Sequence, residues 1–346
     1  MAKSPHERML EQLELDLTAV QPHGGERIDA SFLHRSFCAA GLPVSRPKDP
    51  IRFDRYDDAF SLNILSPERT LPGGKSAAFG VPWGPRARVL ILWMSTQARD
   101  PKRGAGDRWL EIPSINSWIP SLGIPHSHAA EKSLKEQLVK LAFSQFSMFL
   151  KNEDVVLLHD TKLIESVAFT DSDIEAFLAG QIGKVRWPLA LRLSEQAFST
   201  FRSPKAIPIP THRLATISDS ALAIDAFMYL CYRLPELAEQ GTDASEMVGW
   251  RRLVAQFGKH GQAPSKFREL FLPALKDALG AYPEAAAGVE VTDEGLLLRG
   301  VELPALARSF IAVPPLPTPA KRRKVRNRNA ATAAPAPATN TEEGMP

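Results

Sequence analysis

Cysteine is scarce in this chain: of 346 residues, only Cys38 and Cys231 carry a thiol. Two thiols so far apart in sequence exclude a disulfide framework and a zinc site of cysteine ligands, and they fit a reducing compartment. Long apolar runs are missing too. No stretch of about 18 apolar residues occurs, which excludes a membrane-spanning helix. The first twenty residues mix acids and bases among apolar positions and lack the uninterrupted apolar core of a secretory signal. A cytoplasmic protein is expected.

Charge of one sign is also short outside the C-terminal end. The 42 Lys/Arg and 39 Asp/Glu leave +3 overall. From Pro314 onward six basic residues face two acids, a local +4, so the rest of the chain sums to −1. Global charge therefore makes no case for nucleic acid, and any such case rests on local placement.

Motifs of catalysis are lacking as well. Arg69-Thr70-Leu71-Pro72-Gly73-Gly74-Lys75-Ser76 ends like a phosphate-binding loop. Arg69, however, stands where the first glycine is required, and no strand is expected before it, which excludes ATP binding. A nicking enzyme needs a His–apolar–His metal pair and a nucleophilic tyrosine. His126-Ser127-His128 has that spacing with a serine in the middle, at the start of an expected helix, and Tyr229 and Tyr232 fall in an apolar helix. His159 and Asp160 read as a hairpin end. The expectation is a protein that is not an enzyme and that uses no cofactor and no metal.

What is present is an ordinary globular composition, 44% hydrophobic and 23% charged, at a length that suits two domains of roughly 150 residues each. Residues 1–78 read as an N-terminal segment, largely irregular, with one short helix where Leu10, Leu13 and Leu17 recur at helical spacing after Ser4-Pro5. In the block 79–204, Pro85 opens a buried helix that runs to Arg99. A short helix follows over 114–122, and a further element over 127–150 carries Leu134, Leu138 and Leu141 on one face. Runs 155–159 and 163–169 then read as a hairpin joined at Asp160-Thr161-Lys162. Pro188 marks the run 185–193 as an edge strand.

Ser203-Pro204 and Ile207-Pro208-Ile209-Pro210 read as a stiff connector. The block 205–312 then repeats the order, with helices over 218–233, 244–257 and 265–281 and a hairpin of 289–291 with 296–298, in which Gly295 is placed for positive φ. Three helices and a wing, twice over, define the expected fold class: α+β, two tandem winged-helix domains, a partly disordered N-terminal segment, and a disordered Pro/Ala-rich basic tail over 313–346.

The segment Gly80-Val81-Pro82-Trp83-Gly84-Pro85-Arg86, followed by the apolar run to Trp93, resembles the opening of the plasmid-encoded RepA-type replication initiators. Further segments are similar in order: Ser114-Ile115-Asn116-Ser117-Trp118-Ile119, Leu134-Lys135-Glu136-Gln137-Leu138, and Ala221 through Leu234 with its Tyr232-Arg233-Leu234. Trp250–Phe257 and Phe267–Leu275 follow in register, so the resemblance covers about 79–310. It implies an initiator that binds repeated double-stranded DNA sites (iterons) at its plasmid origin. It also implies control of copy number, recruitment of host replication proteins such as initiator and helicase, repression of its own promoter, and a homodimer as one assembly. The residues themselves support a pair of helix-turn-helix units with wings. A winged-helix transcriptional regulator with no replication role is the alternative.

Candidate DNA-binding residues follow from this placement. Lys132 and Lys140, with Lys135, form a basic stripe opposite the leucines, and His126, Ser127 and His128 lie at the N-terminal end of the same helix. The other reading of that stripe is a solvated helix face, given Glu131 and Glu136. In the second block Ser265, Lys266 and Arg268 open the equivalent helix, preceded by Arg251 and Arg252; Phe267, Leu270, Phe271 and Leu275 read as core. Lys162 and Arg299 are wing candidates for phosphate. Lys321, Arg322, Arg323 and Lys324 would add sequence-independent affinity, or simply solubilise the tail.

Overall fold

The computed structural model describes residues 29–300, apart from 72–73, 75, 105, 151–154 and 242, together with 311–312. The expected helix at Leu10–Leu17 and the basic tail lie outside these residues. Among the described residues no helix is long and apolar enough to cross a membrane.

The chain enters on β1 (Asp29–His34) and α1 (Arg35–Ala39), followed by β2 (Arg52–Tyr56), β3 (Phe60–Leu65) and the ribbon β4 (Arg69–Thr70) and β5 (Ser76–Ala77). The sequence reads this stretch as irregular, and the strands correct that reading. Their partners explain why it was opaque. β1 pairs with residues 206–210 and one edge of β3 with residues 145–150, pairings that leave no local pattern, whereas the β2–β3 and β4–β5 hairpins are local and the alternating burial of β3 is a signal the sequence reading missed.

A first unit follows: α2 (Gly84–Ala98), β6 (Trp109–Glu111), α3 (Ile115–Ser121), α4 (His128–Phe143), β7 (Gln145–Leu150), β8 (Val155–Lys162), β9 (Ile164–Val167), α5 (Asp171–Leu178), a 3-10 turn at Ile182–Lys184 and β10 (Ala190–Leu193). Then come α6 (Glu195–Phe201), β11 (Ala206–Pro210) and α7 (Thr211–Ala215). The second unit is α8 (Ala221–Gln240), β12 (Ser245–Gly249), α9 (Trp250–Phe257), α10 (Pro264–Ala281), a 3-10 turn at Pro283–Gly288, β13 (Val289–Val291) and β14 (Gly295–Arg299), with β15 (Ile311–Ala312) beyond it.

Both units form a three-stranded sheet with the last strand in the middle, β6–β10–β9 and β12–β14–β13. Helix, strand, helix, helix, strand, strand in that sheet order is the topology of a winged helix. The two units differ in what interrupts them. Between α4 and β9 the first unit inserts β7 and β8, which complete a four-stranded sheet in the order β2–β3–β7–β8. Between β9 and β10 it carries α5 and the 3-10 turn, where the second unit has only the short turn 292–294.

Several local expectations change accordingly. α4 stops at Phe143 and residues 145–150 are strand, not helix. β8 pairs with β7 and β9 with β10, so the expected hairpin of 155–159 with 163–169 does not form. β10 is a central strand, and Pro188 precedes it without breaking its ladder. The Pro-rich connector is strand β11, which among the described residues pairs only with β1; at that edge the missing N–H of a proline costs no ladder bond. Residues 245–249 form β12 before α9 begins. Gly295 is not at positive φ; a Cβ there would fall 2.1 Å from the Val248 carbonyl oxygen, so glycine is required by the close approach of β14 to β12.

The core runs through both units, from Leu62 and Leu90 through Trp118 to Phe227 and Phe271. α2 is buried on nearly every side, from Ala87 to Thr96, and Trp118 of α3 sits edge-on to Trp93 and Trp187 at 4.9 and 5.3 Å. Gly123 makes the turn between α3 and α4: its φ is +70° and a Cβ would meet that of Ala215 at 2.7 Å. α2 and α8 are joined by a buried ion pair. Arg88 Nε and Nη2 donate to the two carboxylate oxygens of Asp225 at 2.6 Å each, and both side chains are 3% exposed. Removing one partner leaves an uncompensated buried charge. Asp225→Ala is therefore expected to lower unfolding stability by about 3–5 kcal/mol, and the double variant Arg88→Met/Asp225→Leu to recover part of that loss, as measured by urea denaturation.

Asp173 organises the insertion before β10. Its carboxylate accepts from the Thr170 and Arg186 backbone N–H groups at 2.9 Å each, closing a capping box on α5. Burial pushes this carboxyl up, but the Thr170 hydroxyl, the two backbone N–H groups and the Arg186 guanidinium outweigh it and hold the group well below the usual carboxylate range. A depressed folded pKa stabilises the fold above the unfolded value, about 3.9 for Asp, and the contribution is lost as pH falls through the folded value. The stability gap between the wild type and Asp173→Asn should thus be full at neutral pH and shrink in denaturation series taken below about pH 4.

Candidate nucleic-acid interface

In the second unit the third helix and the wing converge on Trp250. This residue starts α9 and is 7% exposed. Its backbone N–H donates to Glu294 O at 3.0 Å and its indole N–H to Thr292 O at 3.3 Å, which fixes the wing turn against the helix. Arg268 lies over the Trp250 ring at 5.2 Å and donates to Asp293 at 3.3 Å. Asp293 is fully exposed, so this ion pair is weak and leaves the guanidinium free to exchange partners.

α10 begins with Pro264 at its first turn, no side-chain cap and no acid. Its leading N–H groups and partial positive charge therefore face solvent. Ser265 and Lys266 are exposed there, with Lys266 paired to Glu269 at 2.6 Å. The apolar spacing of the helix puts Phe267, Phe271 and Leu275 in the core as expected. Leu270 departs from that expectation: it is 52% exposed, on the same face as Lys266. Arg251 is exposed at the start of α9. Arg252 instead pins the fold through Glu246 at 2.8 Å and Asp57 at 3.8 Å. Arg299 is exposed on β14 and paired with Glu290 at 2.6 Å.

The first unit presents less. Ser127 spends its hydroxyl as the α4 cap, accepting from Ala130 N at 3.1 Å, while His126, His128 and Lys132 are exposed around it. The basic stripe read from the sequence is not a surface feature beyond Lys132. Lys140 is 4% exposed, donates to Glu136 at 2.7 Å and lies over the Trp83 ring at 5.2 Å. Burial pulls its ammonium below the usual lysine value against the opposing pull of Glu136. Lys135 is 7% exposed, paired to Glu131 at 3.0 Å and set over Trp187. The segment before α2, which sets Trp83 and Gly80 against Lys140, together with Trp187 and the 3-10 turn, covers the helix face that spacing alone assigns to solvent. Lys162 is half-buried at the base of that hairpin, opposite Gln145, and not at a wing tip. Burial lowers its ammonium, and nearby Arg69 adds repulsion.

Two groups of cations escaped the sequence reading. Lys259 and His260 are exposed in the α9–α10 turn, and Lys184 is exposed in the 3-10 turn that packs on α4. A basic pair between Gly258 and Gly261, inside a helix-turn-helix turn, was the legible sign of the first group. Lys184 had none, because its approach to α4 is tertiary. Lys321, Arg322, Arg323 and Lys324 lie outside the described residues. Among the described residues no group of three His, Cys, Asp or Glu is placed to hold a metal. Lys140→Met should lower stability by about 1–3 kcal/mol, as read by urea denaturation.

The fold and these surfaces define a mixed α+β chain with two helix-turn-helix units, each backed by a three-stranded sheet. No protein-family model and no curated protein matches the chain. Among solved structures it is similar to domains 2 and 3 of RctB, a Vibrio chromosome II replication initiator. One such structure has a TM-score of 0.45 and 10% identity, covering 79% of this chain and 99% of that one. A selenomethionine form has a TM-score of 0.43 and 10% identity, covering 70% and 85%.

Proposed function

We propose that this protein binds specific double-stranded DNA and initiates replication at a plasmid origin, using tandem winged-helix domains over 79–204 and 205–312. The observation that carries the reading is the recurrence of one topology, with the central last strand in both sheets and a third helix whose N-terminal end is open to solvent in both units. Third helices laid in successive major grooves cover about two helical turns, roughly 20 base pairs. That span suits a directly repeated site. Ser265, Lys266 and Arg268 read base edges in the second domain, and His126, His128 and Lys132 do so in the first. Arg251 and Arg299 hold phosphates, and the basic tail adds affinity that does not depend on sequence.

Recruitment of host initiator and helicase, repression of its own promoter and a homodimer belong to the same proposal and rest on the resemblance of residues 79–310 to RepA-type initiators. The test is a fluorescence-anisotropy titration against the DNA flanking the gene, at about 0.15 M salt, with shuffled competitor. Tight binding to a repeated site is expected, weakened by about 1–3 kcal/mol in Arg268→Ala or Lys132→Ala. Equal binding to shuffled DNA would overturn it. Loss of plasmid establishment on deleting the gene separates an initiator from a transcriptional regulator.

A further inference from the structure

Between the edge strand β2 and the α9–α10 turn lies a groove of about 260 Å³, open to solvent along one side. Strand β2 belongs to the sheet completed by the inserted hairpin, so the groove joins that sheet to the helix-turn-helix of the second unit. Its lining is cationic. Arg251, Lys259 and His260 stand exposed on the helical side, and none of the three side chains has a hydrogen bond or ion pair among the described residues. Arg55 forms part of the wall from β2, only 5% exposed. Its Nη1 donates to Ala255 O at 3.0 Å and Val254 O at 3.5 Å, capping the end of α9, and its Nε–H has no partner.

The one acid in the lining, Asp54, is already engaged by Arg52 and the amide of Asn63. The groove therefore has two unpaired rim cations, Arg251 and Lys259, with His260 beside them and no free anion to answer them, and its Arg55 wall carries a buried donor without a partner. A buried donor left without a partner is costly, and the exposed positive charge beside it attracts an anion. Burial pulls the Arg55 guanidinium down to about 9, against the opposing pull of Asp225, and an anion at the groove would raise it again.

We propose that this groove is a phosphate-binding site that takes a phosphodiester of the nucleic-acid backbone beside the stretch faced by α10. The assignment rests on the DNA-binding reading above and deepens it: the inserted sheet becomes part of the DNA contact surface. The groove opens at the turn that leads into the third helix, where a docked helix-turn-helix meets the sugar-phosphate backbone. Such a contact carries no base information, so it sets affinity and register without setting sequence preference.

The test uses the full chain and the double variant Arg251→Gln/Lys259→Gln, which keeps polar side chains at two exposed positions and should unfold at the same temperature as the wild type. In DNA titrations across a salt series, loss of one phosphate contact makes the slope of log K against log salt shallower by about 0.9, a roughly fivefold weakening at 0.15 M salt. The loss should be equal for the repeated site and for shuffled DNA. In a second arm, phosphorus-31 line broadening of inorganic phosphate is compared between wild type and variant. A changed DNA slope assigns the phosphate to the DNA backbone. Broadening lost in the variant with an unchanged DNA slope assigns it to a free phosphate compound. An unchanged slope with no variant-sensitive broadening overturns the site, and specific DNA binding that persists in that case leaves the functional reading standing. If the wild type shows no specific binding, the functional reading fails and the phosphate arm alone decides the groove.

Discussion

The arrangement of the whole protein turns on the ion pair between Arg88 and Asp225. Each residue sits in the first helix of its unit, and each is 3% exposed. Two isolated charges at such depth would cost several kcal/mol each. Here the guanidinium is fully satisfied: beyond the two bonds to Asp225, it donates to Leu42 O at 2.6 Å, Gly84 O at 2.9 Å and Pro43 O at 3.2 Å. The carbonyls of residues 42 and 43 belong to the strap between α1 and β2. A Cβ on neighbouring Gly41 would fall 2.3 Å from the Asp225 carboxylate, so the strap passes there only without a side chain. One cation thus fixes α2, α8 and the incoming strap at once. An apolar replacement could match the energy, but it could not specify three directions; the pair's contribution is to orientation more than to net stability.

That orientation propagates to the surfaces that matter. α2 carries α3 and α4 through the tryptophan cluster, and α8 packs along α10. Arg55 extends the same charged node outward, since its guanidinium feels both Asp225 and Arg88 while its Nη1 caps α9. The strap, the inserted sheet and the second helix-turn-helix are consequently one mechanical assembly.

How much of this was legible depended on sequence separation. α2, α3, α8, α10 and the β13–β14 hairpin each follow from local spacing and caps, and the recurrence of the order was visible from them. β1, β11 and the central place of β10 were not. Ala30 pairs with Pro210, and so long-range a ladder puts no periodic mark on either segment that outweighs nearby proline and glycine; the β2–β3 hairpin is local and β3 alternates in burial, a mark that the surrounding proline and glycine obscured. The site failed for a related reason. Lys140 and Lys135 occupy helix positions that look solvated until Trp83 and Trp187 cover them. A lysine with a carboxylate four residues earlier and an aromatic face nearby is stable in that place.

The covering of α4 has a functional consequence on the proposed reading. Gln137 through Leu141 are all buried, so the first unit can offer DNA only the opening turn of its third helix. α10 by contrast keeps exposed positions from Ser265 through Lys276 and Asp277. A helix that presents its end reads few base edges and chiefly positions the backbone, whereas a helix that presents a face lies along the groove. On the proposed reading the units are alike in topology and unequal in role: the second carries most of the base discrimination, and the first, held to it through Arg88 and Asp225, sets the distance at which a second contact along the duplex is made.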